Sequence, residues 1–305
     1  MSKAGKGKWH HRLEALGFDA LMGGLGALPL DTASALGARL ARLLGPGLGA
    51  HRTALRNLQL AFPDWPAARR QSVAMDMWAQ IGANIGEFPH LHKLDPYGQD
   101  GRVRVLGTER LDALRASGRP AVFFSGHFAN WEIMAAALVQ RGLVCHVGHR
   151  PPNNALIAAR IGAVREGYGV TLQAAKGRLG GLQLARALAR GESIALLSDQ
   201  KYNEGVSAPL FGHAAMTADV APRLALRFGA PLIPLHVVRK TGAHFEVHVH
   251  EAIPLQRDAP SEEAVLDGVR QINAFIEACA RAAPEQWFWV HRRWPKAAWG
   301  SLGGA

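Results

Sequence analysis

Phe123-Phe124-Ser125-Gly126-His127-Phe128-Ala129-Asn130-Trp131-Glu132 reads as the end of a buried strand, a tight turn and the opening of a helix. Ala121 to Phe124 is an apolar run of strand length, Ser-Gly is turn chemistry, and the helix begins at or just after His127. Such a joint belongs to an α/β protein, and open α/β sheets bind their ligands at the carboxyl ends of their strands. This one carries a base, His127, and an acid, Glu132, five positions later. A neutral imidazole held near a carboxylate is the minimum equipment for drawing a proton off a hydroxyl group. With His127 in the turn and Glu132 in the first helical turn, the carboxylate is expected to fold back and fix the imidazole tautomer. Gly126 is expected to let a substrate approach the backbone closely, and the free N–H groups of the helix start are expected to hold a developing oxyanion.

Outward from this joint, strand-like runs alternate with helical ones. Strands are expected at Val103–Leu106, Ala121–Phe124, Val144–Gly148, Val170–Leu172, Ser193–Leu197, Leu232–Val238 and Phe245–Val249. Helices fit Glu109–Ala116, Trp131–Arg141, Asn154–Tyr168, Leu179–Ala189, Ala218–Phe228 and Glu262–Ala282. That alternation implies crossover units: an α/β fold with a mainly parallel central sheet flanked by helices and an antiparallel edge late in the chain. Residues 1–100 read as helical throughout, giving an N-terminal helical region before one α/β unit over 101–305. In that region Met75, Trp78, Ile81 and Ile85 recur at helical spacing in a helix from Ala67 to His92; such a stripe is core.

At 305 residues the chain can bury a large core, and its net charge is +11. A basic surplus of this size implies a polyanionic partner. No nucleic-acid module or aromatic-interleaved basic face is evident, so phosphate-bearing lipid or an acidic carrier is preferred. The two cysteines, Cys145 and Cys279, lack metal spacing and read as buried small hydrophobes of a reducing compartment. The N-terminus starts basic (Lys3, Lys6, Lys8, Arg12) and continues into the apolar Leu13 to Leu30, interrupted by Glu14, Asp19 and glycines. This suits a segment lying at the cytoplasmic face of a membrane better than a clean spanning helix. The alternative is a packed hairpin, Phe18 to Leu28 against Thr32 to Leu44.

Other stretches gain meaning together. Arg150 follows a strand and precedes a helix, where an arginine can clamp a phosphate. Lys176 precedes another helix, and Asn130 lies inside the histidine turn; both are substrate-binding candidates. Ser198-Asp199-Gln200 closes the strongest apolar strand. Phe211-Gly212 and Met216-Thr217 sit in a loop, and Pro284 to Trp294 packs tryptophans beside Arg292 and Arg293. Ser125 makes no GxSxG elbow, so a serine nucleophile is disfavoured. His248 and His250, with His236 and His244 nearby, read as strand residues, not a metal site.

The ordered set His127–Glu132 (HFANWE), Arg150–Asn154 (RPPNN), Ser198–Gln200 (SDQ), Phe211–Thr217 and Pro284–Trp294 (PEQWFWVHRRW) resembles the late acyltransferases of lipid A biosynthesis. These are the lauroyl and myristoyl enzymes of the wider glycerolipid acyltransferase superfamily, and the likeness runs from about Arg52 to Trp294. The resemblance implies acyl transfer from an acyl-carrier-protein thioester, or acyl-CoA, to a hydroxyl of a lipid A precursor or related glycolipid. It implies His127 as general base, Glu132 as its support, and Arg150 and, more weakly, Arg292 as phosphate or headgroup ligands. It gives Asp199 and Gln200 a structural place only. It implies no metal or organic cofactor, no nucleic acid, an acyl carrier protein as partner, and a place on the cytoplasmic face of the inner membrane, peripheral or by one N-terminal anchor. Two other classes stay open: a non-catalytic binder of anionic lipid or nucleic acid, and a hydrolase.

Overall fold

The computed structural model describes residues 3–149, 151–174, 177–256, 258 and 261–300. Four helices come first: α1 (Lys3–Gly26), α2 (Leu30–Leu44), α3 (Gly49–Ala61) and α4 (Ala67–Glu87). The last gives way to a 3-10 turn at Phe88–Lys93, short of the expected His92, because Pro89 cannot continue an α-helical ladder. Then follow β1 (Val103–Leu106), α5 (Thr108–Ser117), β2 (Val122–Ser125), α6 (Glu132–Val139), β3 (Cys145–His149), α7 (Ala155–Gly167), β4 (Thr171–Ala174), α8 (Gly177–Ala189) and β5 (Ser193–Leu197). After β6 (Lys201–Leu210) and β7 (His213–Thr217) come α9 (Val220–Phe228), β8 (Leu232–Arg239), β9 (Phe245–Val249), α10 (Ser261–Ala282) and the short α11 (Lys296–Gly300).

Seven strands form one sheet in the order β1-β9-β8-β2-β5-β3-β4. Every neighbouring pair is parallel except β8 and β9, so the expected α/β class and its late antiparallel element are both present. Strand β2 lies inside the sheet and is buried on both faces. Its side chains alternate between two cores. Val122 and Phe124 join Leu58, Met77 and Trp287 on one side, while Phe123 joins Leu111, Ile133 and Leu235 on the other. The stretch expected as a loop around Phe211 is instead the hairpin β6–β7. Phe211 and Gly212 both take positive φ, which is the two-residue turn that suits a twisted hairpin.

The N-terminal helices are joined to this sheet, and the closest joint within them is α2 against α4. A Cβ added to Gly37 would lie 2.1 Å from the Gly82 carbonyl oxygen, and one on Gly86 would lie 2.1 Å from that of Ala33. The two backbones touch, which only glycine permits. Thus α2 packs on α4, and the hairpin expected between the segments of α1 and α2 is not the main contact.

A buried ion pair locks α4 to the sheet. Glu87, fully buried at the end of α4, pairs with Arg239 at the end of β8. Ser34 Oγ of α2 donates to Glu87 at 2.6 Å, and Asn130 Nδ2 donates to it at 2.9 Å. Arg239 also donates to Gln80 at 2.6 Å, to Asn84 at 2.7 Å and to the Gly242 carbonyl at 3.0 Å. Removing one member of such a pair strands a buried charge. Glu87→Ala is therefore expected to destabilise the fold by about 3–5 kcal/mol, read as a drop in the denaturant midpoint. A loss below about 1 kcal/mol would mean that the pair carries no such load.

Candidate active site

The joint between β2 and α6 is held from three sides. Strand β5 lies parallel to β2 with Ser125 opposite Leu197, so Asp199 arrives beside Gly126 and His127. The Ser198 N–H donates to the Ser125 carbonyl at 2.8 Å and fixes that register. On a second side, Phe128 bridges Trp287, the Phe288 N–H donates to the His127 carbonyl at 3.2 Å, and the Ala129 N–H donates to the Gln286 carbonyl at 2.9 Å. From α4, Asn84 donates to the Ala129 carbonyl. Ala129 takes φ +40°, a left-handed conformation costly for a residue with a Cβ. The surrounding bonds hold it there.

Asp199 is the acid on the imidazole. Its Oδ1 accepts from His127 Nδ1 at 2.7 Å, and its Oδ2 accepts from the His127 backbone N–H and from Trp287 Nε1, each at 2.8 Å. Burial by itself would raise this carboxyl; the charge and hydrogen bonds of His127 and the indole N–H outweigh it and hold the group at about 2. Because an unfolded aspartate titrates near ~3.9, the pairing stabilises the fold above that pH. The contribution is lost as pH falls toward about 2. With the proton on Nδ1, His127 Nε2 keeps its lone pair. The Gln200 amide nitrogen sits 3.3 Å from that atom and 2.9 Å from His291 Nε2, bridging two imidazoles. Burial, with His127 nearby, lowers the pKa of His291, which favours its neutral form.

Glu132 does not fold back onto His127. Both of its carboxylate oxygens accept from Arg165 of α7, at 2.6 and 2.7 Å, in a two-pronged pair. Five positions on a helix do not share a face, whereas Arg165 offers the planar fork a carboxylate matches best. Gly126 also differs from expectation. A Cβ there would meet the Phe128 ring at 2.7 Å and Asp199 Oδ2 at 3.1 Å, so the glycine admits protein groups, not a substrate. Asn130 is buried and serves Glu87, which turns it away from any ligand. The N–H groups of His127, Phe128 and Ala129 are taken by Asp199, Gly126 and Gln286, leaving those three unavailable to an oxyanion. Arg292 is exposed and lines a cavity with Arg52 and Arg56, while Arg293 is buried on Met216, Thr217 and Asn273. Arg150 and Lys176 lie outside the described residues.

Other nucleophiles are poorly placed. Ser125 is buried, with its hydroxyl on the Gly126 carbonyl and the Met134 sulfur. Burial pushes both the Cys145 and Cys279 thiols up to about 12, away from the thiolate that reacts. His236, His248 and His250 stack face to face, with ring centroids 4.4 and 4.9 Å from His236. Among the described residues no group of three or more His, Cys, Asp or Glu side chains could hold a metal ion.

Around the His127 ring, Trp131 lies edge-on at 5.0 Å, Phe288 at 5.9 Å and His291 at 6.0 Å. His127, Trp131 and Phe288 are all partly exposed, so the base sits at the surface between apolar walls. The arrangement suits proton abstraction from a hydroxyl beside a greasy chain.

The family described as bacterial lipid A biosynthesis acyltransferase matches residues 12–296. The lipid A biosynthesis palmitoleoyltransferase of Escherichia coli strain K12 is 26% identical over 278 residues, covering 87% of this chain and 86% of that protein. A lipid A biosynthesis acyltransferase of Haemophilus influenzae is 26% identical over 249 residues, 77% of this chain and 72% of that protein. The lipid A biosynthesis myristoyltransferase of the same E. coli strain is 23% identical over 275 residues, 89% and 83% of the two chains.

The two acids differ in a measurable way. Nitrogen NMR of the histidine rings is expected to show the His127 proton on Nδ1 in the parent protein and in Glu132→Gln. Asp199→Asn is expected to abolish that single-tautomer signature. An unchanged His127 signal in Asp199→Asn, or its loss in Glu132→Gln, would reverse the assignment of the supporting acid.

Proposed function

Because the chain belongs to the bacterial lipid A biosynthesis acyltransferase family, we propose that it moves a fatty acyl group from an acyl-carrier-protein thioester, or acyl-CoA, onto a hydroxyl of a lipid A precursor. His127 is the general base. One observation carries this reading: Asp199 Oδ1 lies 2.7 Å from His127 Nδ1, a pairing that in the neutral ring favours the proton on Nδ1 and leaves Nε2 as the acceptor. The acceptor hydroxyl takes the place that the Gln200 amide occupies 3.3 Å from Nε2. As its oxygen bonds to the thioester carbonyl carbon, its proton passes to Nε2, and Asp199 balances the imidazolium. Collapse of the tetrahedral intermediate breaks the carbon–sulfur bond, and the thiolate leaves with that proton. General-base help of this kind is worth about 10²–10⁴-fold.

Glu132 enters this scheme through Arg165. Their two-pronged pair sets a guanidinium in the helix layer next to the reactive turn, which makes Glu132 a positioning residue. The test is product mass spectrometry after incubation with labelled acyl carrier protein, with and without a lipid A precursor. Acylated lipid is expected from the parent protein. His127→Ala should lose transfer by about two to four orders of magnitude while still folding, with a thermal midpoint lowered by the loss of its pairing with buried Asp199. Free fatty acid as the sole product would favour the hydrolase, and no product would favour a binding protein.

The membrane attachment is proposed on exposed apolar side chains. Trp9, Leu13 and Leu16 line one face of α1, and Leu36, Leu40, Leu43 and Leu44 line one face of α2. Nine of the thirteen exposed large hydrophobics found among the described residues precede Gly49, which concentrates them in α1, α2 and the turn after α2. No helix among the described residues is long and apolar enough to cross a membrane. Both helices therefore lie in the interface, with Arg12 and Arg39 free for lipid phosphates. Leu40→Glu with Leu43→Glu is expected to leave the fold intact and to lower binding to anionic-lipid vesicles at least tenfold in a flotation assay. Unchanged flotation would remove α2 from the membrane face.

A further inference from the structure

We infer that the cavity between the start of α3 and the C-terminal segment is a binding site for a substrate phosphate. This cavity, of about 390 Å³, is lined by Arg52, Arg56 and Arg292 together with Gly49, Ala50 and Trp299. Among the described residues no acidic side chain lines it. Several arginines elsewhere in the molecule are neutralised: Arg102 by Asp31, Arg141 by Asp112, Arg165 by Glu132, Arg223 by Asp219 and Arg239 by Glu87. Arg52, Arg56 and Arg292 have no carboxylate partner among the described residues. Three guanidiniums converging on one cavity repel each other unless an anion joins them.

Two more features favour an anion with several oxygens. Gly49 and Ala50 are the opening residues of α3, and the N-cap residue, Leu48, supplies no side-chain hydrogen bond. Free N–H groups and the positive end of the helix dipole therefore meet the cavity. Arg56 lies over the Trp299 ring, 5.5 Å from its centroid, so the two side chains share one wall of the cavity. The cavity thus offers many donors and almost no acceptors. Guanidinium forks bind tetrahedral phosphate oxygens in pairs, which a carboxylate with two oxygens cannot saturate.

Its place ties it to the reaction centre. Asn57, next to Arg56, donates to the carbonyls of Trp289 and His291 at 2.7 and 2.6 Å. The His291 ring lies 6.0 Å from that of His127, and Arg292 is the following residue. The cavity is thus joined through Asn57 and His291 to the wall of the histidine site. Both proposed substrates carry phosphate: the acceptor on its sugars, the donor on its pantetheine arm. Which of them fills the cavity rests on the transferase reading; the phosphate site does not.

The test pairs Arg52→Ala/Arg56→Ala with Arg270→Ala, an exposed arginine elsewhere, as the control for lost charge. Calorimetric titration with inorganic pyrophosphate is expected to show salt-sensitive binding to the parent and the control, weakened at least tenfold in the double variant. In transfer assays the double variant is expected to raise KM for one substrate about tenfold with kcat changed less than threefold. A raised KM for the lipid assigns the acceptor's phosphate, and a raised KM for the thioester assigns the donor's. Either result upholds the site. Equal pyrophosphate affinity in all three proteins would overturn it, as would weakened pyrophosphate binding with both KM values unmoved, which marks an adventitious anion site. If the parent transfers nothing, the proposed reaction fails while the titration still decides the cavity.

Discussion

The carboxylate of Glu87 holds the molecule together at its least forgiving point. It ends α4, accepts from Ser34 of α2, faces Arg239 at the end of β8, and receives Asn130 from the reactive turn. Helical layer, sheet and site therefore meet at one fully buried charge. Buried ion pairs are poor sources of net stability, but they are strict about geometry, since each missing partner strands a charge. The same network reaches the histidine from behind. Asn84 and Arg239 bond each other, and Asn84 also takes the carbonyl of Ala129. The strained turn is thus set by polar contacts, and the imidazole inherits its aim from them.

Much of this was legible in the residues, for reasons that can be named. Strands such as Val103–Leu106, Ser193–Leu197 and Phe245–Val249 emerge with their expected limits because short apolar runs between turn residues have one reading. The β6–β7 hairpin escaped because its strands mix Gly, Pro and charge, and its turn is signalled by Phe211 followed by a single glycine. The supporting acid escaped for a different reason. Glu132 is near His127 in sequence, whereas Asp199 is near it across two parallel strands. Sequence distance hides what a sheet brings together. The usable signal was there: a Ser-Asp-Gln at the carboxyl end of an apolar strand lies where such sheets gather their ligands.

The segment from Pro284 to Trp294 shows the same limit from another side. Its aromatics read as a cluster, but each does separate work. Trp287 holds Asp199, Trp289 closes on the Pro284 carbonyl, and Trp294 donates to Leu210. Gln286 clips to the backbone of Arg239 through two hydrogen bonds. The adjacent arginines separate completely: Arg293 goes inside, where burial lowers it to about 10, and Arg292 stays in solvent. A strap of this kind runs across α3, β2 and the hairpin. No local pattern foretells it, because its partners come from every part of the chain.

The backbone contact between α2 and α4 has a mechanical outcome. Glycines at 37, 82 and 86 leave no side-chain cushion between the two rods, so they cannot slide past or press closer to each other without atoms colliding. One rod shows leucines to the outside; the other ends on the charge behind the histidine turn. The spacing from greasy stripe to imidazole is consequently stiff, like a fixed standoff, and any lipid alcohol must rise to meet it.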